Sequence, residues 1–418
     1  MRIAGPRWAG PCVIAFASRS KITYVCPALP THGVEPSSRA KGESMFQPPS
    51  VRKSCLWWVL PAAFLWVGCA YGDEFGAPQG GIRGSESPGF GPDSDEARFL
   101  RLSPDQRKKV LSPEVTEIRI AEQFGLGYLP LMLVQQFGLI EQYAREASLG
   151  DVHITWIRYP SGKAMNSALQ LGMLDIGSGG VPPLLRIWGS TVGSSQVKGL
   201  TPLAAMPMYL NVNSPRIKGL ADLTNRDFIA LPAVGESSQA IVLRMAAARQ
   251  WGPKKYDKLD GFTVSMSHPE AMEALLSGQV SAHFASPPFQ NQELADPRVH
   301  TVLDSFKVIG GPATFTVAWA RVSFCDQNPN TCEVVVRALK EAMRLITEQK
   351  REAAQIYVLR SHTGLSVDDV LKVLDDPRIR FGTTPHGVME YARFMSSIGS
   401  LGRLPEDWRE VFFPLPGG

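Results

Sequence analysis

The residues that could carry chemistry are thinly spread along this chain. The seven histidines, His32, His153, His268, His283, His300, His362 and His386, form no HExxH and no closely spaced set that would hold a metal. Gly125-x-Gly127 runs on to Pro130 where a dinucleotide fingerprint needs glycine, and no GK[ST] phosphate loop occurs. Around Ser178, Ile176 occupies the first glycine position of a G-x-S-x-G elbow. No catalytic residue, metal or cofactor is expected, and the chain is not read as an enzyme. What remains is a set of small, hydroxyl-bearing turns: Ser178-Gly179-Gly180-Val181, Glu236-Ser237-Ser238-Gln239 and Ser286-Pro287-Pro288-Phe289. Turns of this kind hold a ligand without bonding to it covalently, through backbone N–H groups and hydroxyls.

Two of these turns belong to a motif that occurs twice. Ala164-Met165 leads to Gly172, an apolar run and Pro182-Pro183; Ala271-Met272 leads to Gly278, a second such run and Pro287-Pro288. Each copy reads as an amphipathic helix stopped by glycine, a short buried strand, and a turn that opens the next helix with proline in its first turn. Helix N-termini beyond the carboxyl ends of strands are where open α/β sheets bind ligands. Two copies predict two similar lobes facing each other across a cleft.

Composition sets the frame for those lobes. The 418 residues are 44% hydrophobic and 20% charged, which suits two globular domains of modest size. The formal charge of +4 arises in the first 72 residues, and the remainder holds 35 basic against 37 acidic side chains. A near-neutral body argues against nucleic acid as a partner.

Residues 1–44 show neither helical nor strand period and read as an extension upstream of Met45. From there the text takes the layout of a secretory signal over 45–72: Arg52-Lys53, an apolar core from Leu56 to Val67, then Gly68-Cys69-Ala70-Tyr71-Gly72. The core is too short to span a membrane. Two outcomes remain open, release before Asp73 or lipid attachment at Cys69. Cys325 and Cys332 flank the turn-rich Asp326–Thr331 and are expected to pair, as export allows.

Residues 73–113 are rich in Gly, Pro, Ser and Asp and read as a flexible tether. Strands are expected at Thr116–Ala121, Val152–Ile157 and Phe228–Leu231, and helices at Leu131–Phe137 and from Gly235 to about Arg249, where Ser237 or Ser238 could cap. Leu200–Val212 and Gly310–Ala320 read as apolar crossings between lobes, and Glu333 to about Arg360 reads as one long amphipathic helix. Further helices are expected at Val367–Leu374 and Gly387–Ile398. The expected division is a discontinuous first lobe, 114–207 with 310–418, around a second lobe, 208–309.

Over about residues 116–415 the chain resembles the bacterial periplasmic solute-binding proteins of importers for nitrate, taurine and alkanesulfonates. The likeness is carried by the first strand with Phe124–Pro130, by Gly172–Pro183, by Ile217–Leu223 and by Gly235–Gln239. It implies an α/β, two-lobe type II binding-protein fold that closes on a small molecule about a hinge. It further implies a periplasmic monomer, soluble or lipid-anchored, that delivers its ligand to a membrane permease driven by a cytoplasmic ATPase. Ligand contacts carried over from the family fall on Phe124, Gly125, Tyr128, Ser178, Gly179, Gly180, Val181, Pro207, Glu236, Ser237, Ser238, Gln239, Ser286, Phe289, Thr314 and Phe315. Because these loops hold no Lys or Arg, a neutral, aromatic or zwitterionic ligand is favoured over a bare inorganic anion, although Arg158 or Lys163 could still reach the cleft. An exported sensory module is the alternative reading. A relative of the thiamine-pyrimidine synthases is a weaker one, because the chain lacks their cysteine-rich segment.

Overall fold

Alternating side chains make β1 (Glu117–Glu122) a strand whose inward face carries Ile118 and Ile120, both fully buried. The structure is a computed structural model that describes residues 113–414. The upstream extension, the signal sequence, Cys69 and all but the last residue of the tether lie outside the described residues. After β1 come α1 (Leu129–Phe137), α2 (Leu139–Glu146), β2 (His153–Arg158), α3 (Gly162–Gln170), β3 (Ile176–Gly179), α4 (Val181–Ser190) and β4 (Val197–Ala205). The chain continues through β5 (Tyr209–Val212), β6 (Ile229–Leu231), α5 (Ser238–Trp251), β7 (Thr263–Ser265), α6 (His268–Ser277), β8 (Ala282–Ala285), α7 (Phe289–Glu293) and β9 (His300–Asp304). It then runs through α8 (Ser305–Ile309), β10 (Thr314–Arg321), α9 (Val322–Gln327), α10 (Pro329–Glu348), α11 (Lys350–Ser361), α12 (Val367–Leu374), β11 (Arg380–Phe381) and α13 (Val388–Ser397).

The strands form two sheets. One has six strands in the order β11-β4-β10-β3-β1-β2, and the other five in the order β7-β6-β8-β5-β9. Parallel pairs (β1 with β2 and β3, β6 with β7 and β8) need crossover connections, which the intervening helices supply. Both copies of the repeated motif fold as helix, strand and helix. Gly172 and Gly278 follow the first helix of each copy with φ of 71° and 81°, a backbone region that favours glycine.

Two segments read as crossings are mostly strand. Leu200–Val212 contains most of β4 in the first sheet and all of β5 in the second, so only Met206, Pro207 and Met208 pass between them. The return passes through α8 and Gly310–Ala313, after which β10 enters the first sheet between β3 and β4, antiparallel to both. Apolar strands covered on both faces read as unbroken hydrophobic runs, which is why the sequence overstates both crossings. The expected long helix over Glu333–Arg360 is also corrected. It is two helices, α10 and α11, parted at Gln349 (φ −129°, ψ 52°), and the bend lets α11 pack on α12 while α10 lies on α1 and α2. The helical period runs across the break with no glycine or proline to mark it.

Cys325 and Cys332 form a disulfide joining α9 to the first turn of α10, with their Cα atoms 5.6 Å apart. The same turn anchors the entering chain. The Glu114 carboxylate accepts hydrogen bonds from the backbone N–H groups of Asn330 and Thr331 and from both of their side chains, at 2.6–3.0 Å. A carboxylate there satisfies donors that the helix leaves unpaired and faces the positive end of its dipole.

Trp319 of β10 is fully buried and fills the space that two glycines of β3 leave open. A Cβ at Gly177 would lie 2.5 Å from the Trp319 indole nitrogen, and one at Gly179 would lie 2.8 Å from the ring. Overpacking of this kind costs about 1–3 kcal/mol. Gly177→Ala should therefore lower the midpoint of thermal unfolding by several degrees, which circular dichroism would measure.

Candidate functional site

Loops that follow the carboxyl ends of parallel strands in both sheets converge on one cleft. The first sheet contributes Gln123, Phe124 and Tyr128 after β1, Gly162 and Lys163 after β2, Gly180 after β3, and Phe315 from β10. The second contributes Pro232 and Ala233 after β6, Ser237, Ser238 and Gln239 at the start of α5, and His268 at the start of α6. This is the position at which open α/β sheets bind ligands. The free volume of the cleft is about 30 Å³, room for roughly two waters. An adjoining cavity of about 160 Å³ shares Gln123 and Phe124 and adds Gly125, Arg158 and Phe289.

The two sides touch. Leu126 N–H donates to the Pro287 carbonyl at 2.9 Å, and the Arg186 guanidinium donates to the Gly235 carbonyl at 3.1 Å. Lys163 Nζ meets Glu236 Oε1 at 2.9 Å. Lys163 is largely exposed, so that pair contributes at most about 1 kcal/mol. Gly180 marks the tightest approach, since a Cβ there would lie 2.0 Å from Ser238 Oγ. Two helices of different lobes thus point their N-termini at the same space: α4, which starts at Val181, and α5, which Ser237 caps by accepting from Ala240 N–H at 3.2 Å. Each such end carries about half a positive charge.

The residues nominated from the sequence divide by position. Phe124, Tyr128, Gly180, Ser237, Ser238, Gln239 and Phe315 line the cleft, and Gly125 and Phe289 line the adjoining cavity. Glu236 stands beside them, paired with Lys163. The others face away. Ser178 donates its hydroxyl to the Ala121 carbonyl at 2.5 Å and has no exposed surface. Gly179 backs onto Gln123 and Trp319, and Val181 is core. The Pro207 carbonyl accepts from Gln290, Thr314 accepts from His386 N–H at 2.9 Å, and Ser286 is buried against His268.

Burial pushes the Tyr128 phenol well above its ordinary range, with the Glu122 carboxylate adding to the shift, so it stays a neutral donor. The two cations that the sequence left within reach of the cleft, Lys163 and Arg158, are both close to it. Lys163 lines the cleft, and Arg158 lines the adjoining cavity, lies over the Phe124 ring with its guanidinium carbon 5.4 Å from the centroid, and pairs with Glu122 at 2.5 Å. Both belong to β2 and the loop after it, a segment the nominated loops left out.

Gln123 and His268 were also missed. Gln123 precedes the nominated Phe124, and its amide donates to the Ser178 carbonyl at 3.0 Å. His268 had a signal that was available: the step carrying Gly172 onto Gly278 and Pro182 onto Pro288 carries Gly162 onto His268, and both line the cleft. The histidines that look scattered in the sequence include one direct pair, His268 Nδ1 to His283 Nε2 at 2.9 Å. Among the described residues no group of three or more His, Cys, Asp or Glu is arranged to hold a metal.

Two α/β lobes joined by paired crossings, with a cleft lined from both, define the fold of the periplasmic binding proteins. Among solved structures the chain is similar to the periplasmic aliphatic sulphonate-binding protein SsuA of Escherichia coli, with TM-score 0.54 and 22% identity over 72% of this chain and 98% of that one. It is also similar to the alkanesulfonate-binding SsuA of Xanthomonas axonopodis pv. citri bound to MOPS (TM-score 0.54, 18% identity, 72% and 97% covered). A third is the nitrate-binding NrtA of Synechocystis PCC 6803 (TM-score 0.54, 16% identity, 68% and 81% covered). In sequence it is 28% identical over 268 residues to the "Putative aliphatic sulfonates-binding protein" of Escherichia coli strain K12, covering 63% of this chain and 76% of that protein. No family model matches the chain. These likenesses agree with the resemblance its motifs carry.

Gly180→Val should leave both lobes folded but hold them apart. The expected result is an increase in the radius of gyration by small-angle scattering, with the far-ultraviolet circular dichroism unchanged.

Proposed function

We propose that the protein is the solute-binding component of an ABC-type importer and that the cleft between its lobes takes a small organic anion of the sulfonate type. The observation that carries this reading is the convergence of the α4 and α5 N-termini on one small space, because two helix dipoles and the first N–H groups of α5 together suit an anionic headgroup; Pro182 and Pro183 carry no N–H, so α4 adds only that of Val181. Lys163 adds a positive charge at the rim, and the neutral hydroxyls of Tyr128, Ser237 and Ser238 add donors. Phe124 and Phe289 in the adjoining cavity offer apolar contact to the organic remainder of the ligand. The similarity to sulfonate-binding proteins supports the same class.

Binding without covalent change is the role this site is built for. Delivery would then be to a membrane permease with its ATPase, from a periplasmic location, by a monomer. No helix among the described residues is long and apolar enough to cross a membrane.

Thermal unfolding of the purified protein against taurine, ethanesulfonate, nitrate, aromatic carboxylates and amides tests the reading. A sulfonate at about 1,000 times its dissociation constant should add roughly 4 kcal/mol of stability, a shift of several degrees. Stabilisation by the carboxylates or amides alone would replace the sulfonate assignment, and stabilisation by none of these probes would remove it.

Glu236 pairs with Lys163 at the cleft rim and offsets its charge. Glu236→Gln should therefore tighten ethanesulfonate binding and Lys163→Gln weaken it, each by up to about tenfold, or roughly 1.4 kcal/mol, by isothermal titration calorimetry.

A further inference from the structure

Behind the cleft lies a chain of buried polar groups that simple binding does not require. Glu293 and His283 have no exposed surface and His268 is 6% exposed. Glu293 Oε2 accepts from Asn211 Nδ2 at 2.8 Å, and Oε1 contacts His283 Nδ1. His283 Nε2 meets His268 Nδ1 at 2.9 Å, and His268 Nε2 meets both the Gln239 amide nitrogen at 3.2 Å and the Ser286 hydroxyl at 3.1 Å. The chain therefore runs without interruption from a buried carboxylate to Gln239 in the cleft wall.

Each imidazole in it can donate from one nitrogen and accept at the other, so the direction of every bond is set by how many protons the chain holds. With both imidazoles neutral, His283 donates to Glu293, His268 donates to His283, and His268 Nε2 is left as an acceptor. It then draws the Gln239 amide hydrogens and the Ser286 hydroxyl hydrogen inward, and Gln239 turns its carbonyl oxygen to the cleft. Adding one proton at His283, beside the Glu293 carboxylate, reverses the chain. His283 then donates to His268 Nδ1, His268 Nε2 becomes a donor, and Gln239 turns its amide hydrogens outward. His268 stays neutral in both states and only changes tautomer. Burial holds its pKa well below the ordinary imidazole range, and the neighbouring His283 adds to that.

We propose that His268 is a ligand-selecting residue and that His283 and Glu293 are positioning residues behind it, so that the cleft takes up one proton with each anion it binds. This deepens the sulfonate reading of the cleft and rests on it. In the protonated state the cleft wall offers donors to an anion, and in the unprotonated state it offers an acceptor. Ser286 is fully buried, so it acts here as a hydrogen-bond partner and not as a nucleophile. The other titratable groups around the chain are few. Glu270 and Glu273 on α6 are exposed, and Glu270 is engaged with Ser267. On β5, beside β8, the Tyr209 ring faces Arg378, which also pairs with Asp304 of β9, and at the start of β9 His300 bonds the Ile217 carbonyl. Across the cleft stand the Lys163–Glu236 and Arg158–Glu122 pairs. Among the described residues no Lys or Arg pairs with Glu293.

The test is calorimetric titration of the full protein with ethanesulfonate in buffers of different ionisation enthalpy, over about pH 5 to 9. The expected result is uptake approaching one proton per ligand, with affinity falling about tenfold per pH unit above the pH at which the chain titrates. The sign follows from linkage, since the bound state holds the extra proton and rising pH opposes it. Glu293→Gln should abolish the uptake and flatten the profile, and His268→Gln should do the same. Ethanesulfonate binding to the wild-type protein with no proton uptake anywhere in that range would overturn the proposal and leave the sulfonate reading intact. If no sulfonate binds, that reading fails, and nitrogen-15 NMR of the unliganded wild-type protein decides the proton chain by itself. A His268 tautomer that changes from Nδ1–H to Nε2–H as pH falls from about 9 to 5 supports it, and one unchanging tautomer overturns it.

Discussion

The insertion of β10 between β3 and β4 is the constraint on which the two-lobed arrangement depends. Because β10 pairs antiparallel with both neighbours, the outgoing and returning connections leave the same sheet side by side, and the second sheet hangs from two adjacent segments. Two adjacent short connections allow rotation about the line joining them while resisting other displacements, which is the geometry of a hinge. Trp319 seals the insertion by occupying the room above Gly177 and Gly179. The small residues in β3 thus serve packing first. The turn they lead into, at Gly180, can then approach α5 closely because the strand beneath it is fixed.

The electrostatics of the cleft follow from that approach. Helix N-termini supply partial positive charge from both sides, while the two cations that line the cleft and its adjoining cavity are each matched by a carboxylate: Lys163 by Glu236 and Arg158 by Glu122. A site of paired charges and oriented dipoles can admit an anion without holding a strong bare field when empty. The buried Glu293 departs from this balance, since its neighbours are an amide and an imidazole.

Much of this was legible in the sequence. The repeat located two helix–strand–helix units, and the period-two strands β1 and β2 and the Ser237 cap stand within a residue or two of their expected places. What the sequence hid has identifiable causes. The strands flanking each crossing are covered on both faces, so hydrophobicity alone could not separate strand from connection. The break at Gln349 is imposed by packing on α12 and leaves no local mark. Ser178 was read as facing the ligand because it lies in a glycine-rich turn, yet the alternation of β3 turns it to the core side. The His268–His283 contact joins a helix start to the middle of a strand, and no spacing rule anticipates it.

The anchoring of Glu114 to the first turn of α10 bears on how the molecule works when held from its N-terminal side. Glu114 and Val115 are fastened to Asn328, Asn330 and Thr331, beside the disulfide and on the lobe that contains β10. Any pull transmitted through the preceding chain therefore reaches the first lobe alone and bypasses both crossings. The second lobe is then the moving jaw and the first the fixed one. The jaws can then open and shut while the segment at Glu114 stays still.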